Sequence, residues 1–149
     1  MTRAPQGSGV YLFVLDVPHA ADVTVGALGA VHLAPGRYGY VGSARRGLAA
    51  RLARHTRKRK PLRWHIDYLS RLAVPLGALT WPWRKGRECR LAQALGVTGA
   101  GRPCVPHFGA SDCHCPGHLF ALAEADLPSL AERLSRRLGA AATVLERIP

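Results

Sequence analysis

The hydrophobic pattern begins with a dense β-forming run, Gly9 to Asp16 (GVYLFVLD), which reads as a buried strand. Asp22 to Gly26 and Ala30 to Leu33 read as short strand pieces split by Gly29, and Pro35-Gly36 marks a turn. Arg37 to Ser43 (RYGYVGS) follows as another strand, so the first third is expected to form a small antiparallel sheet. The period then changes. Leu48 and Leu52, with Ala49 and Ala53 beside them, give one apolar stripe on a helix running roughly from Arg46 to Arg57. Trp64, Ile66, Tyr68, Leu69 and Leu72 suggest a second helix, Leu76 to Trp83 a strand, and Glu88 to Leu95 a third helix. Thr98 to Gly117 is rich in Gly, Pro, Cys and His and reads as a loop; loops of that length are commonly functional. His118 to Ala123 reads as a strand and Leu127 to Leu138 as a final amphipathic helix. The expected class is α+β: one domain over 1–149, with a small antiparallel or mixed sheet flanked by helices.

Composition agrees with one domain, since 149 residues at 48% hydrophobic content can fill one core. No stretch reaches the roughly 18 uncharged apolar residues that a membrane span needs. Met1 to Ser8 carries one Arg and no apolar run, unlike a secretory signal. A cytoplasmic, nucleoid-associated location with no membrane partner is therefore expected. Charge changes the picture more. Lys and Arg number 21 against nine Asp and Glu, a net charge of +12. So basic a domain repels itself unless a polyanion is near, which makes nucleic acid the first partner to consider. Ribosomal association and an acidic membrane surface are the blander readings.

Cys89, Cys104, Cys113 and Cys115, with His107, His114 and His118 among them, have the composition of a zinc site. Their Cys-x-Cys spacing is not the Cys-x2-Cys knuckle of most structural sites, so buried neutral thiols are the preferred reading and zinc the lesser one.

The residues that carry chemistry are Gly9-Val10-Tyr11 on the opening strand and Tyr40-Val41-Gly42-Ser43-Ala44, followed by Arg51 and His55. Arg51 and His55 are four apart and share a helix face, read here as distinct from the Leu48/Leu52 stripe. On these motifs the chain resembles the GIY-YIG nuclease superfamily of phage homing endonucleases, the UvrC repair nuclease and some restriction enzymes. GIY reads GVY here and YIG reads YVG; Glu88 is placed to match the family's metal carboxylate. Trp64-His65-Ile66-Asp67-Tyr68-Leu69 and Phe108-Gly109-Ala110-Ser111-Asp112-Cys113 are similar to signatures of a GIY-YIG subfamily, DUF123, which in some archaea is fused to endonuclease III, a base-excision repair glycosylase. Two departures stand out. Twenty-eight residues separate Tyr11 from Tyr40, more than in compact members, so 17–36 is expected to be an added hairpin or excursion. The chain also contains no Asn to match the family's late Asn, and Ser111 or Asp112 stands in that region.

The resemblance implies a metal-dependent DNA endonuclease that hydrolyses a phosphodiester, with catalytic residues Tyr11, Tyr40, Arg51, His55 and Glu88. One Mg²⁺ or Mn²⁺ on Glu88 would neutralise charge at the phosphate and the leaving oxygen. Arg51 would grip the scissile phosphate. Tyr11 would be the base with Tyr40 as its partner, and Arg51 and the metal would lower a phenol pKa ordinarily near 10. His55 would position Tyr40 or the water, or contact the phosphate. The endonuclease III fusion implies a duplex with an abasic or damaged site as substrate, and a functional link to a glycosylase. DNA contact is expected from Ser43, Arg45, Arg46, Arg54, Lys58, Arg59, Lys60, Trp64, His65, Ser111 and Asp112. Nine of the 21 basic residues crowd into the 19 positions from Arg45 to Arg63, a density suited to tracking phosphates.

Bland readings compete at each position. Tyr11 alone reads as a core tyrosine, Glu88 as a favourable first-turn charge, Trp64 as core, Ser111-Asp112 as a turn cap, and the basic run as a solvated face. At the level of function, the alternative is a non-catalytic basic module that binds DNA or RNA.

Overall fold

The computed structural model describes residues 7–110, 113–123 and 126–148. The first strand, β1 (Gly9–Val17), is buried along almost its whole length. It lies inside the sheet, because it pairs antiparallel with β4 (Gly36–Ala44) on one side and β5 (Val74–Trp81) on the other. A strand covered on both faces reads as a continuous apolar run, which is the pattern of GVYLFVLD. Short strands extend the sheet outward: β7 (Leu119–Leu122) on β4, β6 (Gly101–Pro103) on β7, and β8 (Thr143–Leu145) on β5. The order is β6-β7-β4-β1-β5-β8, and every pairing among the described residues is antiparallel. With four helices, the fold is α+β.

Alternation along β1 divides the core in two. Tyr11, Phe13, Leu15 and Val17 pack on one face with α1 (Leu48–Thr56) and α2 (His65–Ser70). Val10, Leu12 and Val14 pack on the other with α3 (Arg87–Val97) and α4 (Leu127–Leu138). Helix α4 starts where the Asp126 carboxylate accepts the Ser129 N–H, and buries Leu130, Leu134 and Leu138 at fourfold spacing.

The structure revises four sequence expectations. The first third does not form a sheet of its own. Among the described residues, β2 (Ala21–Thr24) and β3 (Ala30–Leu33) pair only with each other, and the excursion at 17–36 is a separate hairpin lying against the first core face through Val25, Val31 and Leu33. The 98–117 segment is not all loop, since β6 lies within it. The edge strand β8 carries no marked alternation and went unread. His55 belongs to the apolar stripe of α1, because positions 48, 52 and 55 follow the helical period and all three are buried. Arg51 stands at the border of that stripe, half-buried.

Candidate active site

The pairing of β1 with β4 sets Tyr11 opposite Gly42 and Phe13 opposite Tyr40. Tyr11 and Tyr40 are thus diagonal neighbours on one face, with ring centroids 6.4 Å apart. Gly42 is what admits the phenol: a Cβ there would lie 2.4 Å from the Tyr11 hydroxyl oxygen. Helix α1 crosses this face and brings His55 Nε2 to 2.7 Å from Tyr11 Oη. His55 Nδ1 has no hydrogen-bond partner among the described residues.

Glu88 arrives from the other layer, in the first turn of α3. β7 pairs with β4 only as far as Tyr40, and Val41 N–H then donates to the His118 carbonyl. Past that point Glu88 meets β4, where Ser43 Oγ donates to Glu88 Oε1 at 2.5 Å. His118 Nδ1 lies 3.1 Å from Glu88 Oε2, near but poorly aligned for a hydrogen bond. Arg51 donates to the Ser43 carbonyl at 2.6 Å.

Tyr11, Tyr40, Arg51, His55 and Glu88 therefore line one cavity of about 280 Å³, shared with Ser43, Arg63, Trp64, His65 and Gly109. The loop before β7 closes it. Phe108 packs edge-on against Tyr40 at 6.0 Å, and Gly109 N–H donates to His65 Nδ1 at 2.7 Å. Gly109 has φ of +68°, and a Cβ there would approach the Tyr40 ring to 2.7 Å, so the glycine is needed twice over. Ser111 and Asp112, assigned to substrate from the sequence, lie outside the described residues.

Electrostatics set the protonation states. Burial pushes the Tyr11 hydroxyl well above its ordinary value, and nearby Tyr40 adds to this. Tyr40 is raised as well, by burial and then by Glu88. Arg51 pulls both phenols down, as expected, but burial outweighs it. Burial likewise raises Glu88, yet the His118 and Ser43 contacts and the Arg51 charge outweigh burial and hold its carboxyl below the usual range. Burial lowers His55 to about 3, helped by Lys60, so the imidazole is neutral at pH 7.

His55 makes stability fall on acidification. Its folded pKa lies below the unfolded value near 6.5, so below about pH 6 the unfolded chain binds the extra proton and is favoured. The stability lost should approach about 1.4 kcal/mol per pH unit between about pH 6 and 4. Urea midpoints at pH 7, 6 and 5 test this; a His55→Gln variant should show the shallower slope, and equal slopes would refute the assignment.

The basic run separates into two groups. Arg54 forks onto Asp67 at 2.6 and 3.0 Å, and Lys60 Nζ donates to the Arg54 and His55 carbonyls and to Ser70 Oγ. Lys58 Nζ donates to the Ser70 and Ala73 carbonyls. Burial lowers Lys60 to about 8 against the pull of Asp67. Asp67 is fully buried and also accepts the Arg63 and Trp64 N–H groups. These three cations hold the α1–α2 connection together. Arg46, Arg57, Arg59 and Arg63 are exposed, as is Arg45, which covers the Trp83 ring at 4.5 Å. Ser43, Arg45, Arg46 and Arg51 line an open depression of about 590 Å³ that shares Ser43 and Arg51 with the cavity. Trp64, 36% exposed, is flanked by Arg51 and Arg54 at 4.9 and 4.5 Å.

The sequence reading missed Asp67 as the centre of a charge cluster, Gly109 as part of the cavity wall, and His118 as the neighbour of Glu88. The WHIDYL and FGASDC motifs did contain the first two. Among the described residues no helix is long and apolar enough to cross a membrane. No curated protein and no solved structure matches the chain. Residues 10–140, which carry every described side chain of the cavity, match the family described as Domain of unknown function DUF123, and the chain belongs to that family.

Proposed function

We propose that this protein is a metal-dependent DNA endonuclease of the GIY-YIG type, hydrolysing a phosphodiester bond at abasic or damaged sites. The observation that carries the reading is the hydrogen-bonded Tyr11–His55 pair in one cavity with Arg51 and Glu88. Proton acceptor, fixed cation and carboxylate stand around a space open to a phosphate.

Glu88 suits one Mg²⁺ or Mn²⁺. It is the only carboxylate among the described residues lining the cavity, it is anionic, and its side chain keeps 31% exposure for waters to complete a hard-cation shell. When bound, such an ion supplies charge neutralisation at the phosphate and the departing oxygen.

The chain's own groups do the rest. Arg51 is half-buried and held by the Ser43 carbonyl, so its remaining N–H donors present a fixed cation to the scissile phosphate. Tyr11 takes the proton of the attacking water. A buried phenolate is costly, so the phenol acts by relay: it hands its own proton to neutral His55 Nε2 while accepting one from water. An incoming phosphate favours this, because its negative charge stabilises an imidazolium. Tyr40, flanking both rings, orients the water. The exposed cations Arg45, Arg46, Arg57, Arg59 and Arg63 track the DNA backbone, leaving Arg54, Lys58 and Lys60 to hold the scaffold. Trp64, at the cavity, fills the gap left by a missing base. Such a substrate fits a cytoplasmic, nucleoid-associated enzyme working after a DNA glycosylase.

The burial of both phenols favours a second reading, a basic module that binds nucleic acid without cutting it. End-labelled duplexes with and without one abasic site, incubated with Mg²⁺, Mn²⁺ or EDTA, separate the two. Metal-dependent cutting at the abasic site, abolished in Glu88→Ala, is the expected result. Equal cutting of both duplexes would remove the damage specificity alone. Binding without cutting under every metal would transfer the assignment to the second reading.

A further inference from the structure

The proposed reaction leaves one side-chain cluster unused. Cys89 in the first turn of α3 and Cys113, Cys115 and His118 in the segment before β7 bring three sulfurs and one ring nitrogen within 4.8 Å of one another. We propose that these four side chains bind one zinc ion, forming a structural centre that ties this segment to α3.

The donor set is that of closed structural sites, three thiolates and one imidazole. Tetrahedral zinc, with bonds of about 2.3 Å to sulfur and 2.0 Å to nitrogen, needs ligand atoms about 3.5–3.8 Å apart. His118 Nε2 already lies 3.5 Å from Cys113 Sγ, so small side-chain rotations complete the set. His118 is fully buried and aims that nitrogen into the sulfurs. Its other nitrogen faces Glu88 at 3.1 Å. A zinc-bound histidine ordinarily turns its far N–H towards a carboxylate, and Glu88 stands on that side of His118. Zinc on Nε2 would place the proton on Nδ1, the buried nitrogen that lacks a well-aligned partner, and a small ring rotation on binding would aim that N–H at Glu88 Oε2, 3.1 Å away. The fourth cysteine is excluded, because Cys104 Sγ points to the Leu119 carbonyl at 3.6 Å. Spacing hid the site: Cys89 comes from a different element, and the Cys-x-Cys-x2-His remainder does not resemble a zinc knuckle.

Elemental analysis of the full chain, purified with reductant and without added metal or chelator, should find one zinc per chain. Replacing it with Co²⁺ should produce thiolate-to-cobalt charge transfer and the intense visible bands of a tetrahedral site. Cys89→Ser and Cys115→Ser should each lose most of the zinc, while Cys104→Ser keeps it. The cobalt spectrum of the unaltered chain decides the matter even where a serine variant fails to fold. Absence of zinc together with absence of a cobalt spectrum in the reduced protein would overturn the proposal. So would a chain two hydrogens lighter by mass, its cysteines joined as a disulfide. Metal content is read without any cleavage assay, so a zinc protein that does not cut DNA would overturn the nuclease reading alone.

Discussion

Tyr11→Phe is expected to slow DNA cleavage by about 10²–10⁴-fold, the range for loss of a general base, while leaving DNA affinity nearly unchanged. The substitution removes one oxygen and keeps the ring that fills the core beneath Gly42. What disappears is the 2.7 Å link to His55 Nε2, and with it the acceptor for the water proton. The loss should fall on the single-turnover rate at saturating enzyme, because no phosphate-gripping group is altered. The stranded imidazole will destabilise the fold by about 1–3 kcal/mol, so rates belong well below the unfolding temperature. An unchanged rate would rule out Tyr11 as the base and move that role to Tyr40.

The largest stability effect is expected from Asp67→Ala, about 3–5 kcal/mol of destabilisation, the range for breaking a buried ion pair by removing one partner. Asp67 is fully buried, and the side chains of Arg54 and Lys60 beside it are 13% and 1% exposed. Removing the carboxylate leaves two charges short of their counterion, and the Arg63 and Trp64 N–H groups without an acceptor. Burial raises the Asp67 carboxyl, but Arg54 and those backbone donors outweigh it and the net shift is downward. Its contribution is therefore full above the unfolded carboxyl value near 3.9 and lost as pH falls through the lower folded value. Urea unfolding at pH 7 measures the difference, and a loss below about 1 kcal/mol would mean the cluster behaves like a solvated surface pair. Because Arg54 also flanks Trp64 at 4.5 Å, the same variant should disturb the cavity wall and weaken DNA binding.

Much of the scaffold was legible because its signals are local. The run GVYLFVLD is short and rich in β-branched and aromatic residues, which favours a strand covered on both faces, and the fourfold spacing of Leu130, Leu134 and Leu138 marks one buried side of a helix. The residues that meet in the cavity were named through their resemblance to a nuclease motif, and the register of β1 on β4 then places Tyr11 beside Tyr40. By itself the sequence determined the class, the principal strands and helices, and the basic character; the five residues proposed as catalytic came from the resemblance, and the fold brings them to one cavity with Ser43, Arg63, Trp64, His65 and Gly109. Tertiary structure alone decided which cations are free and which are occupied. Arg54 and Lys60 look like their neighbours in the chain, and only the burial of Asp67 from α2 beside them takes them out of solvent. It also decided that His55 is a neutral core group, that β8 closes the sheet edge, and that Cys89 joins a cluster 24 residues away. Periodicity reports which face of an element is apolar; it carries no record of which distant element covers that face, and desolvation and ligand geometry depend on the covering partner.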